Sequence, residues 1–194
     1  MLSSATTKYV KKQQIVLTIV WGSIIMGDLI NLFVCNSMVE YAVERGELPS
    51  SDVFFIMPRY FFALLWVLVV FYICKRIDST KFLKKIYQKT NFSEGFIAAL
   101  KNNIKLAIPT AAVEEITERE VRIIEVLRRY TPFLIICYGL AGLISSVGFV
   151  LSVTVLKSVG SALLLTVFSI LLLWMMRPQP VQLLDRIGRE VVEL

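Results

Sequence analysis

Apolar and polar positions along this chain fall into blocks rather than mixing evenly. Four runs, residues 15–39, 53–74, 132–155 and 160–176, are almost continuously apolar. Each approaches the roughly 20 residues that a helix rising about 1.5 Å per residue needs to cross about 30 Å of hydrocarbon. The pattern predicts an all-α integral membrane protein with four transmembrane helices in two hairpins. Between the hairpins the period changes. Phe82, Leu83, Ile86 and Tyr87 recur at helical spacing among Lys81, Lys84, Lys85 and Lys89, and Phe92, Phe96, Ile97, Leu100 and Ile104 repeat the pattern until Pro109 interrupts it. These are expected to be amphipathic helices lying along the cytoplasmic face of the bilayer, with the four lysines against lipid head groups.

Four segments follow: residues 1–74, an N-terminal arm and the first hairpin; 75–131, the cytoplasmic amphipathic helices; 132–178, the second hairpin; and 179–194, an amphipathic cytoplasmic tail. Within the second segment, Thr117 followed three residues later by Glu120 is a capping box, which predicts a helix opening there and running through Arg129. Glu118 with Arg122 and Glu125 with Arg129 are i,i+4 pairs of the favourable orientation. The helix is expected to continue into the third apolar run, with Pro132 in the first turn of the span or kinking the junction.

Composition agrees with the blocks: 56% of residues are hydrophobic and the mean hydropathy is +0.69, far above a soluble domain of this length. The net charge of +6 does not point to nucleic acid, because the basic residues flank the apolar runs. Lys8, Lys11 and Lys12, then Lys75, Arg76 and the four lysines of the next helix, then Arg177, Arg186 and Arg189 place both termini and the central segment in the cytoplasm. The first connection, with Glu40, Glu44, Glu47 and Asp52 against Arg45, and the second, with only Lys157, face outward. The partners implied are anionic lipid head groups and other membrane subunits or further copies of the chain. The first run is longer than the 7–15 residues of a signal-peptide core and is expected to stay as an anchor.

No histidine occurs, so histidine zinc sites, haem held by histidine and nucleophile–histidine arrangements are excluded. There is no G-x-x-x-x-G-K-[ST] loop and no G-x-G-x-x-G turn. Cys35, Cys74 and Cys137 lack metal-ligand spacing and read as packing residues. Glu114, Glu115, Glu118 and Glu120 are better explained as helix-start charges than as a catalytic cluster. No cofactor, no metal and no enzymatic activity are expected.

Asp28, near the middle of the first run, is the residue that stands out, because a carboxylate at that depth costs about 2.5–3.5 kcal/mol on insertion scales. Asn31 lies one turn further on the same face, and Arg59 in the second run lies at a depth its guanidinium can bridge. Two readings stay open: a satisfied polar network of Asp28, Asn31 and Arg59 pinning the first hairpin, or a protonatable site exchanging a proton or cation during transport. Ser23 and Gly27, with Gly139, Gly142, Ser145, Ser146 and Gly148, fall at spacings that let helix backbones approach closely. The fourth run is almost uniformly bulky, as a lipid-facing helix would be.

The order of elements, Trp21, Met26 and Ile30 in the first run, Gly148-Phe149-Val150-Leu151 in the third and the closing Leu171-Leu172-Leu173-Trp174-Met175-Met176-Arg177-Pro178 resemble a group of small, uncharacterised bacterial four-span membrane proteins. Their hairpins are in turn similar to the proteolipid rotor subunits of rotary ATP synthases. In those subunits a glycine-led apolar run follows the ion-binding glutamate by six residues. The corresponding position here is Gly142, so that carboxylate is missing unless Asp28 substitutes from another helix. The resemblance implies a packed, oligomeric pair of hairpins in the bacterial inner membrane. The function expected is a non-enzymatic subunit or scaffold of a larger membrane assembly, with a proton- or cation-translocating oligomer centred on Asp28 as the alternative.

Overall fold

A computed structural model describes residues 4–46, 53–90, 92–107, 116–156 and 158–189, with the backbone alone at 4–5, 53–56, 59, 105–107, 155–156 and 180–181. The described residues are helical, with no strand among them. The elements are α1 (Ser4–Glu44), α2 (Val53–Ile77), α3 (Thr80–Lys89), α4 (Glu94–Ala107), α5 (Glu118–Leu151), one π-helical turn (Ser152–Leu156), α6 (Gly160–Met175) and α7 (Pro180–Ile187). Three helices are long and apolar enough to cross a membrane, over Thr6–Glu44, Tyr60–Ile77 and Glu118–Thr154. At 16 residues, α6 is shorter. Its length of roughly 24 Å follows from a rise of about 1.5 Å per residue.

The chain forms two compact units: Met1–Ile19 with Arg76–Ile135 and Pro178–Leu194, and Val20–Lys75 with Ile136–Arg177. Both α1 and α5 contribute to each.

In the first unit α5 is the central strut. Ile123, Val126, Leu127 and Tyr130 form one apolar cluster with Val10 of α1, Leu83 of α3 and Leu184 and Ile187 of α7. Val121 and Ile124 form a second with Ile97, Leu100 and Ile104 of α4. The predicted capping box is present: the Glu120 amide donates to Thr117 Oγ1 at 3.3 Å and the Thr117 amide donates to Glu120 Oε2 at 2.9 Å. Ser79 caps α3 by accepting from the Phe82 amide at 3.3 Å. The helix runs unbroken through Pro132. The expected break at Pro109 lies outside the described residues.

One expectation changes here. The sequence pattern places the apolar face of α3 on lipid, yet Leu83 has no exposed surface, and Phe82, Ile86 and Tyr87 pack on the same protein cluster. The helix is amphipathic because it covers α5. Lys81, Lys85 and Lys89 are exposed on its other side and Lys84 is half-buried.

The second unit carries more polar groups in its interior and an apolar exterior. Its buried positions include Asp28, Ser145, Ser152, Ser161, Thr166 and Ser169, while Phe33, Met57, Phe61, Phe62, Trp174 and Met175 are more than half exposed. Among these helices α2 buries only a narrow stripe, Ala63, Val67, Val70 and Cys74.

Candidate functional site

The polar interior of the second unit centres on Asp28, which is 3% exposed although it sits between Gly27 and Leu29 of an otherwise apolar stretch of α1. Helix α1 brings it to α5 and α6 at a point where α5 has no side chain. A Cβ on Gly142 would lie 2.8 Å from Ile24 Cγ2 and 3.8 Å from Asp28 Oδ1. The small residue therefore makes room for Ile24, one turn before Asp28 on α1.

The Ser169 hydroxyl of α6 lies 2.5 Å from Asp28 Oδ2 and 2.8 Å from the Ala141 carbonyl oxygen of α5. Ser145 of α5 reaches the same carboxyl group and shares a hydrogen bond of 3.0 Å with Thr166. Three helices thus supply one connected polar chain, which is how a buried polar group avoids its desolvation cost.

The predicted residues separate into two sets. Ser145 joins Asp28, and Gly142 admits Ile24 one turn before it. Gly148 serves the same α5–α6 contact further along: a Cβ there would lie 2.9 Å from Leu165 Cβ and 3.2 Å from the Ser161 carbonyl oxygen. Ser146 donates to the Gly142 carbonyl at 3.4 Å, within its own helix. At Gly27 and Gly139 a Cβ would meet nothing within 4 Å, and Ser23 is exposed. Asn31 is half-buried, and among the described residues no hydrogen bond joins it to Asp28. The Arg59 side chain lies outside the described residues, as do Glu114 and Glu115.

Thr166 and Ser169 escape a sequence reading that takes the fourth run for a lipid-facing helix. The buried face of α6 is Ser161, Ala162, Leu165, Thr166, Ser169, Leu172 and Leu173. The signal is present in the sequence: small and hydroxyl residues at three- and four-residue spacing on a helix otherwise made of Leu, Val, Ile and Phe. Both ends of α6 are held by other elements. At its start the Ala162 amide donates to Ser152 Oγ at 2.8 Å, and the Ser152 and Ser161 hydroxyls are hydrogen-bonded. At its end Trp21 donates to the Leu173 carbonyl at 2.7 Å and Tyr138 to the Met176 carbonyl at 3.1 Å, taking up carbonyls that a helix end leaves open.

In the first unit the polar centre is Glu125, which has no exposed surface. It accepts from Arg128 at 2.7 and 3.1 Å and from Arg129 at 2.7 Å. Burial pushes its carboxyl group up, and the two guanidinium groups outweigh this and hold it below the usual carboxylate range. The expected pair of Glu118 with Arg122 is looser, at 3.9 Å. Cys35, Cys74 and Cys137 are all buried, and the last two adjoin one another. Among the described residues no group of three potential metal ligands occurs.

No protein-family model matches the chain, and no curated protein or solved structure matches it either. The functional reading therefore rests on these residues.

Proposed function

We propose that this chain is a four-span integral membrane protein of the bacterial inner membrane, with both termini and residues 75–131 cytoplasmic, acting as a non-enzymatic subunit or scaffold of a larger membrane assembly. The observation that carries the membrane reading is the distribution of exposed large apolar side chains. Among the described residues every one lies within the four apolar runs except Tyr41 and Val43, just beyond the first. Placing that much apolar surface in water at about 25 cal/mol per Å² is untenable for a marginally stable chain. In this reading α6 serves as the fourth span with the turns at its ends, and the lysines of α3 meet anionic head groups.

The open positions at Gly27 and Gly139 support the subunit reading. They are small residues on apolar helices that no close neighbour within the unit requires, and such surfaces suit a helix from another protein or copy. Native mass spectrometry of the protein extracted in mild detergent tests this. A stable oligomer or a defined companion is expected, lost in the double variant Gly27→Leu/Gly139→Leu with helicity and melting temperature retained. A monomer without companions overturns it.

One observation favours the second reading, a proton- or cation-translocating oligomer. Asp28 is buried where three helices meet, and an intramembrane carboxyl group at a helix junction is the type of group that ion pathways use. Proton or cation flux into liposomes that Asp28→Asn abolishes would establish it. Equal flux in wild type and variant would remove it.

A further inference from the structure

The hydrogen bonds around Asp28 are more numerous than the hydroxyl protons available to make them. Ser169 has one hydroxyl proton and two close acceptors, Asp28 Oδ2 at 2.5 Å and the Ala141 carbonyl oxygen at 2.8 Å. A carbonyl oxygen never donates, and an ionised carboxylate does not either. Were Asp28 ionised, one of these contacts would set two lone pairs against each other at hydrogen-bond distance in a low-dielectric interior. A proton on Asp28 removes the conflict. Asp28 then donates to Ser169, and Ser169 donates to Ala141.

The other side of the site continues in the same direction. Ser145 reaches the carboxyl group and shares its hydrogen bond with Thr166. With Thr166 donating to Ser145 and Ser145 to Asp28, the sequence Thr166, Ser145, Asp28, Ser169, Ala141 uses each proton once.

We infer that Asp28, Ser169, Ser145 and Thr166 form a buried proton-binding site closed on the Ala141 carbonyl, in which Asp28 is carried as the neutral acid. The site takes and returns one proton, with no redox step. This rests on the Asp28 reading above rather than on the subunit reading, and it narrows the ion to a proton. Among the described residues the groups shown against Asp28 are Gly142 and Ser145 of α5 and Ser169 of α6, with Ala141 and Thr166 one hydrogen bond further out. The titratable groups one turn from Ala141 are engaged elsewhere, Cys137 with Cys74 and Tyr138 with the Met176 carbonyl. Among the described residues no lysine or arginine pairs with Asp28, and Arg59 of α2 enters the test directly.

The test is infrared spectroscopy of the full chain in phosphatidylcholine nanodiscs, with the aspartates carrying ¹³C in the side-chain carboxyl group. A carboxylic-acid carbonyl band from aspartate is expected at neutral pH, lost in Asp28→Asn and insensitive to added Na⁺. The side-chain amide introduced by Asp28→Asn offers the same donor to Ser169, so the melting temperature should stay close to wild type, while Asp28→Ala should lower it. Ser169→Ala gives an independent check. It removes the acceptor, and the band should move to higher frequency without disappearing. Absence of the band at neutral pH overturns the inference, as does a band unchanged in Asp28→Asn or erased by Na⁺. A band that appears only in Arg59→Gln would show Asp28 ionised by that arginine and overturns it too. A band present with no proton flux in liposomes would remove transport and leave the site standing.

Discussion

The two units use the same element, the α-helix, with opposite exteriors. The first buries Leu83, Ile124, Leu127 and Ile187 and turns lysines and arginines outward. The second buries Asp28, Ser145, Thr166 and Ser169 among Ile144, Leu165 and Leu173 and turns Phe33, Phe61, Trp174 and Met175 outward. Water as the surrounding solvent selects the first arrangement, and hydrocarbon tolerates the second, because there apolar surface gains nothing from being hidden while polar groups gain from pairing. Identical chemistry should therefore have different consequences in the two units.

The largest difference is expected from placing a charge on an apolar position of each. Leu127→Asp puts an unpaired carboxylate in a fully buried cluster of the first unit, with an expected loss of more than about 4 kcal/mol. Circular dichroism and limited proteolysis in detergent should show that unit open. Leu68→Asp lies on an exposed face of α2 and should leave the detergent-solubilised fold nearly intact, yet impair membrane insertion by about 2.5–3.5 kcal/mol. A Leu68→Asp protein that is recovered without detergent, folded and soluble, would break the comparison by placing the second unit in water.

Within the second unit the glycines give a finer contrast. Gly148→Ala sets a Cβ 2.9 Å from Leu165 Cβ and against the Ser161 backbone, and should destabilise by about 1–3 kcal/mol. Ser152→Ala, which takes the partner of the Ala162 amide, should cost about the same. Gly139→Ala meets open space and should gain up to about 1 kcal/mol from helix propensity. Unfolding titrations in mixed micelles read all three. Equal effects at Gly148 and Gly139 would mean that α5 and α6 do not meet as described.

Glu125 sharpens the first unit's side of the comparison, since it is the buried charge that this unit tolerates. Held below the usual carboxylate range by Arg128 and Arg129, it stabilises the fold fully above the ordinary carboxylate pKa. That stability is lost as pH falls through the lower value of the folded state. Glu125→Gln should cost about 1–3 kcal/mol at neutral pH, and its melting temperature should converge on wild type in acid. A constant difference across pH would show that Glu125 contributes only by packing.

How far each unit was legible follows from where its partners lie in sequence. The apolar runs, the Thr117–Glu120 box and the arginine four residues from Glu125 are local, and a sequence displays local patterns directly. The Asp28 site is assembled from residues 28, 141, 142, 145, 166 and 169, and its bonds cross between helices. Sequence singled out Asp28 by its depth and found the small face of α5. It offered Asn31 and Arg59 as partners, the Arg59 side chain lying outside the described residues, and passed over Ser169 and Thr166 because hydroxyls are ordinary in apolar helices. The α3 helix misled in the other direction: an amphipathic stripe beside a membrane segment reads the same whether lipid or α5 covers it.

The smallest effect predicted turns on this same distinction of near and far. Thr117→Ala removes the hydroxyl that accepts from the Glu120 amide and should cost about 0.5–2 kcal/mol, confined to the first unit, because the box closes over four residues. Hydrogen exchange at the amides of the first turn of α5 should rise several-fold, with those of α6 unchanged. The amide at the start of α6 depends instead on Ser152, ten residues earlier and on another helix, so it reports the α5–α6 contact and not a cap of its own. If Thr117→Ala loosened α6 as well, the two units would be folding as one cooperative body, and the contrast between a charged and an apolar exterior would describe their surfaces but not their stability.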